Sequence, residues 1–432
     1  MSIDLYQLDT KRVYNIVKYI CRKIGPRISG TENEEEVAKF VGKQLESIKS
    51  QDVSIKKYPH RYYEGQEATI EHIKTGKSIS GKPVWMTKST QLDGVEGEGV
   101  FLGSINQIED IPLDSIKDKI VFIFFLRDYL EPENFGNLKK LYKLKPKGVV
   151  LLSNYNSEVT RSDPIFKDTS IFAQVPSMII PAAKTTDFEI QNLDGLFRLS
   201  VKGKIQEGLL HNVISFQDGE ITESVLICAH HDTVERSSGA MSNATGVALV
   251  LEIARIISKI ETKYSYIFAT FGGEEQNLEG ARHFLEDFYR SKIVLCINLD
   301  SIEPFPGFVA SIVAGNNELF EKVKNISRIN KFPALAVNGT PNEGTNMIFA
   351  QEGIPSIMVL FKGALSHGIN RTELDNLKFV SEKSLQETGD FVLRLIQKIE
   401  SLENLEFAEG IPPNLEKETE NYFELLQFYL ED

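Results

Sequence analysis

The chain has 432 residues, 41% of them hydrophobic and 25% charged, a balance that excludes a disordered chain and supplies a large core, spread over more than one structural unit. The formal net charge of −13 excludes a general nucleic-acid binder, which needs clustered Lys and Arg for phosphate contacts. Cys21, Cys228 and Cys296 are odd in number and far apart, so they read as free thiols of a cytoplasmic protein rather than a disulfide framework.

Met1 to Arg22 mixes charges throughout and lacks the apolar run of a signal peptide, and no later run is expected to reach a membrane-spanning length. Val13, Ile16, Val17 and Ile20 recur at helical spacing. The loop Gly25-Pro26-Arg27-Ile28-Ser29-Gly30-Thr31 follows, and then a second helix with Val37, Phe40, Val41 and Leu45 on one side. Between about 65 and 205 short β-rich runs take over, among them 99–103, 119–125 and 147–152.

After about 209 strands and helices alternate: a strand at 225–229, a helix at 246–257, a strand at 266–271, a helix near 279–290 and a strand at 293–299. Buried strands alternating with helices predict an α/β domain with a mixed, largely parallel central sheet flanked by helices. The expected division is a discontinuous α/β domain, 1–64 and 206–402, an inserted β-rich domain, 65–205, and an acidic tail, 403–432. The tail has a candidate helix carrying Tyr422, Leu425, Leu426 and Tyr429 on one face; it docks on its own domain or mediates self-association.

Histidine is scarce, seven in all, so each position is informative. His230-His231-Asp232 directly follows an apolar strand, at the carboxyl end where open α/β sheets bind ligands. In a His-x-Asp alternation the imidazole can face a metal while the carboxylate orients it; a His at a strand end is also commonly just hydrogen-bonded. Glu274-Glu275 follows the next strand. Two adjacent acids there can divide proton transfer from metal ligation, or simply open a helix in solvent. Asp300 ends the third strand and is a further candidate ligand. Three consecutive strands delivering such groups form a constellation more specific than its parts.

The order His230-x-Asp232, then Gly239-Ala240-Met241-Ser242-Asn243-Ala244-Thr245-Gly246, then Glu274-Glu275, then Asn298-Leu299-Asp300 resembles family twenty-eight of the metallopeptidases. That family includes bacterial aminopeptidases, glutamate carboxypeptidase, glutaminyl cyclase and the transferrin receptor ectodomain. Gly25-Pro26-Arg27, Gly30-Thr31, Phe349 and Gly353-Ile354-Pro355 extend the likeness. The inserted segment resembles a protease-associated domain through Gly99-Val100 to Gly103 and Asp118-Lys119-Ile120-Val121.

The resemblance implies a zinc-exopeptidase-like fold, up to two zinc ions and release of N-terminal residues from peptides. It implies Glu274 as general base, Asp232 as the residue orienting His230, His230 and Asp300 as ligands of one metal, and Glu275 as ligand of the other. Two positions depart from the pattern. Ser242 stands where the family's metal-bridging Asp is expected, and Asn370 where a second-metal histidine is expected. Ser242 has a simple structural reading as an N-cap. His367 is a candidate substitute for the missing imidazole, and Gly344-Thr345-Asn346 lacks the acidic residue often found there. A specificity pocket would be drawn from loops near 303–315 and 335–345.

The expected function is therefore an aminopeptidase-like metallohydrolase whose activity is weakened or lost. The alternative is a non-catalytic peptide- or protein-binding relative on the same scaffold. Expected partners are peptides or a protein, neither nucleic acid nor membrane, with self-association left open.

Overall fold

The chain divides into two units, residues 1–60 with 208–423 and residues 61–207 with 424–432. The computed structural model describes residues 7–48, 50–104, 115–125, 132–153, 174–180, 195–276, 278–288, 293–339, 344–364, 369–403 and 410–428. Two strands of 22 residues each, β1 (Gln51–His72) and β7 (Leu196–Gln217), run through the division.

The first unit opens with α1 (Thr10–Tyr19), capped by Asp9, whose side chain accepts from the Arg12 N–H. It continues as a π turn, Ile20–Ile24, and stops at Gly25, where φ is 82°. Val13, Val17 and Ile20 are fully buried. Helix α2 (Glu32–Ser47) has three glutamates in its first turn, where the helix dipole favours negative charge. It buries Val37, Val41 and Leu45, and half-buried Phe40 stacks on Tyr19 at 4.5 Å.

The remaining strands of this unit are β8 (Ser224–His230), β9 (Ser265–Phe271), β10 (Ile293–Ile302), β11 (Gly307–Ala314), β12 (Ala334–Asn338) and β13 (Ser356–Gly363). Their order is β7–β9–β8–β10–β13–β11–β12. The central four are mutually parallel, β11 and β12 are parallel, and β7–β9 and β11–β13 are antiparallel. Strand β8 is buried along its whole length, as a run of apolar residues between two helical layers requires. The sheet is thus mixed and largely parallel, with α4 (Thr245–Ile257), α6 (Asn317–Ile329) and α8 (Glu382–Glu400) packed against it.

Two expectations need correction, and a third lies partly outside the described residues. Among the described residues one stretch, Ala240–Ile257, is apolar and long enough to count as a candidate span, yet 94% of it is buried inside the protein as a core helix. Most of the segment at 303–315 is strand β11 rather than loop, while at 335–345 only residues 335–338 belong to β12 and 340–343 lie outside the described residues. The tail contains α9 (Pro413–Phe428), but its expected apolar face, Tyr422 to Tyr429, lies outside the described side chains.

In the second unit β1 and β7 join β2 (Lys77–Pro83), β3 (Val95–Ser104), β4 (Ile120–Phe125), β5 (Gly148–Ser153) and β6 (Ser177–Ile180) in the order β1–β2–β6–β5–β4–β3–β7. A further β1–β7 pairing joins the two ends of that order. Arg198 of β7 reaches Glu71 of β1 at 3.1 Å, and Lys202 reaches Glu67 at 3.3 Å. Alternate residues of β4 feed two cores. Ile120 and Phe122 pack with Val150, Phe197 and Leu199, while Val121 and Ile123 pack with Leu138, Leu141 and Tyr142 of α3 (Pro132–Lys143).

Candidate metal centre

Strands β9, β8 and β10 lie side by side and point the same way, so residues at their carboxyl ends converge. His230 ends β8, Asp232 follows it, Glu274 and Glu275 follow β9, and Asp300 sits near the end of β10; all are buried. His230, Glu274 and Glu275 each offer a ligand atom within 4.8 Å of the others. Asp300 stands outside that trio. Its carboxylate accepts from the Ser301 hydroxyl at 2.8 Å, and its charge still acts on His230, Glu274 and Glu275.

Asp232 ties two strand ends together. Its carboxylate faces His230 Nδ1 at 3.3 Å and accepts the backbone N–H groups of Glu274 and Glu275 at 3.2 and 3.1 Å. The Ser29 hydroxyl adds a bond of 3.0 Å. Burial alone would raise the Asp232 carboxyl, but these donors and His230 hold it below its ordinary value. His231 faces elsewhere. Its Nε2 meets Glu34 Oε1 at 3.0 Å, and Glu34 also meets His211 Nδ1 at 2.7 Å and accepts the His211 N–H at 2.8 Å.

Burial drives the Glu274 carboxyl up to about 8 against the pull of His230, and Glu275 adds to the rise. Glu275 is likewise raised by burial, against the pull of Arg371. Burial would lower His230, but the charge of Glu274, Asp232 and Asp300 holds the imidazole well above its usual value. The site is therefore a buried cluster of acids balanced by an imidazole and a guanidinium.

Arg371 is the residue that sequence reasoning missed. Its Nε lies 2.6 Å from Glu275 Oε2, though out of hydrogen-bond alignment, and its Nη2 lies 3.9 Å from Glu274 Oε2. Its φ of 60° is left-handed, a conformation costing of order 1–3 kcal/mol for a non-glycine residue. The available signal was a lone cation beside Asn370 within an otherwise metal-binding frame. Arg27 and Asn243, quoted in motifs but given no role, form the support. Fully buried Arg27 donates to Gly25 O, His231 O, Ser238 O and Asn243 Oδ1, and the Asn243 amide donates to His230 O and Asp232 O.

Ser242 is not an N-cap. It lies inside a π turn, Ala240–Ala244, and its hydroxyl donates to Asp375 Oδ2 at 2.6 Å. Asp375 also accepts the N–H groups of Met241 and Ser242, at 2.7 and 3.3 Å. Asn370 Oδ1 is buried without a hydrogen-bond partner. His367 lies outside the described residues.

The donor set fits one divalent cation. Glu274 Oε2 is a buried oxygen with no hydrogen-bond donor, 3.5 Å from His230 Nδ1, a place that suits a cation, whereas Glu275 Oε2 already faces a guanidinium nitrogen at 2.6 Å. It does not fit two, because Ser242 brings no charge and a guanidinium already stands against Glu275.

The model of peptidase family M28 matches residues 212–396. Aminopeptidase YwaD of Bacillus subtilis is 21% identical over 408 residues, covering 88% of this chain and 83% of that protein. The BOS complex subunit NCLN of Homo sapiens is 35% identical over 79 residues, 16% of this chain and 14% of that protein. A zinc aminopeptidase structure from Bacillus subtilis superposes with a TM-score of 0.75 at 20% identity, over 94% of this chain and 99% of that one. A peptidase M28 precursor from Shewanella amazonensis gives 0.78 at 15% identity, over 93% and 95%. These likenesses establish the fold of the chain, and the family match supports peptidase family M28 for its site-bearing part.

Proposed function

We propose that this chain is an aminopeptidase-like metallohydrolase of the M28 kind whose zinc-dependent activity is weakened or lost. The family match and the aminopeptidase relative support a zinc peptidase; the details of the site support its weakening. The observation that carries the reading is Arg371 against Glu275, with Ser242 bonded to Asp375.

In this reading His230 and Glu275 would hold the ion, with the Glu274 carboxylate beside them as the proton carrier. A bound zinc would polarise a peptide carbonyl and acidify a water. Glu274, beside His230 and Glu275, would take the proton of that water and return it to the leaving amine. Asp232 keeps His230 and the two glutamate backbones in register. The scarcity of cysteine in the sequence suits a reducing compartment, and the likeness of residues 65–205 to a protease-associated domain suits a role in recruiting a partner.

The test is metal content by plasma mass spectrometry after equilibration with micromolar zinc, followed by hydrolysis of aminoacyl and peptide substrates. We expect at most one zinc per chain and slow or absent hydrolysis, any residue of which Glu274→Gln abolishes. Two zinc ions with rapid turnover would sink the reading. The alternative, a non-catalytic peptide-binding protein, is favoured if peptides bind equally well to the Glu274→Gln variant and no hydrolysis is found.

A further inference from the structure

We propose that Arg371 is a built-in cation standing in for the second metal, so that this centre accepts at most one divalent ion. The inference rests on the metallopeptidase reading above. The guanidinium lies 2.6 Å from Glu275 Oε2 and 3.9 Å from Glu274 Oε2, so its charge falls on both carboxylates whose buried oxygens lack a hydrogen-bond donor. A second ion at that position would face a fixed positive charge at contact distance in a buried setting, where such repulsion is weakly screened.

The neighbouring positions act in the same direction. Ser242 is neutral and turned to Asp375, and Asn370 presents an amide. Each keeps anionic charge out of the site, while Arg371 adds positive charge; together they suit one ion and disfavour two. The placement of Arg371 is also fixed. Its backbone is left-handed, and the loop around it is pinned by Thr372 Oγ1 on Ile369 O at 2.6 Å and by the bonds of Asp375 to Met241 and Ser242. A guanidinium stays charged at every pH the fold survives and cannot be chelated away. Its charge thereby offsets part of that of Glu274 and Glu275 when no metal is bound.

Cobalt(II) titration of the full chain, followed by calorimetry and visible absorption, tests this on wild type, Arg371→Met and Arg371→Lys. Wild type should bind at most one ion. Arg371→Met should bind one ion more, or the same number at least about tenfold tighter, a step of ~1.4 kcal/mol. Arg371→Lys, which keeps the charge, should follow wild type. Two ions in wild type, identical titrations for wild type and Arg371→Met, or a Lys variant that behaves like Met would each overturn the proposal. If Arg371→Met fails to fold without metal, its melting with and without zinc decides. A larger gain from zinc than in wild type supports the proposal, and no gain overturns it. A wild type that binds one ion and still hydrolyses peptides rapidly would sink the weakened-activity reading and leave this one standing.

Discussion

At the residue scale, Ser242 and Arg371 differ in how openly the sequence displays them. Ser242 departs from an expected acid inside a recognisable motif, so its lack of charge is evident from the sequence. Its partner is not, because Asp375 arrives from 133 residues away in the chain. Burial raises the Asp375 carboxyl, while the Ser242 hydroxyl and the Met241 and Ser242 amides restrain it. Ser242→Ala removes one of three donors from a fully buried acid, so it should destabilise the fold by ~1–3 kcal/mol. Urea unfolding measures this, and an unchanged midpoint would mean that the two amides suffice. Arg371 was invisible for a related reason. An arginine beside an asparagine carries no periodicity or spacing signal, and only the path of the loop brings its guanidinium to Glu275.

At the element scale, the strands feeding the site were the legible part. The apolar runs at 225–229, 266–271 and 293–299 fall within β8, β9 and β10; of the polar residues at their ends His230, Glu274 and Glu275 lie together, while Asp300 stands outside that group. Strand β11 was hidden because Pro304, Pro306 and Gly307 punctuate its start as a loop would. The buried link between α2, β7 and β8 was hidden too, since Glu34 sits in an acidic helix start that reads as solvated. Burial would raise the Glu34 carboxyl, but His211 and His231 outweigh it and hold it below 4.5. Because its folded value is depressed, its contribution is present above the unfolded value of about 4.3 and is lost as pH falls through the folded one. Unfolding midpoints measured from pH 7 down to pH 3 should therefore fall less steeply in Glu34→Gln than in wild type, from a lower stability at pH 7. Parallel acid limbs would remove Glu34 as a source of acid sensitivity.

At the scale of the whole molecule, composition disclosed a large core and more than one unit, but not the two long strands, β1 and β7, that run through the division. Strands of 22 residues are several times the usual length, and mixed polar side chains conceal them. The candidate metal centre lies in the first unit, since His230, Glu274, Glu275 and Arg371 all fall within 208–423. Phe122 is fully buried in the other unit, edge-on to Phe197 at 5.0 Å. Phe122→Ala should cost that unit ~3–5 kcal/mol while zinc titration below the transition stays unchanged; a shifted titration would tie the metal centre to the second unit. The ring formed there by the β1–β7 pairing has a consequence of another kind. An open sheet offers its last strand as a template on which other chains can extend, and proteins must blunt that edge with charge, bulges or proline. Here the described strands of the second unit close upon themselves, so that route to aggregation is shut by topology, and the solvent-facing side chains of this unit are left free to vary.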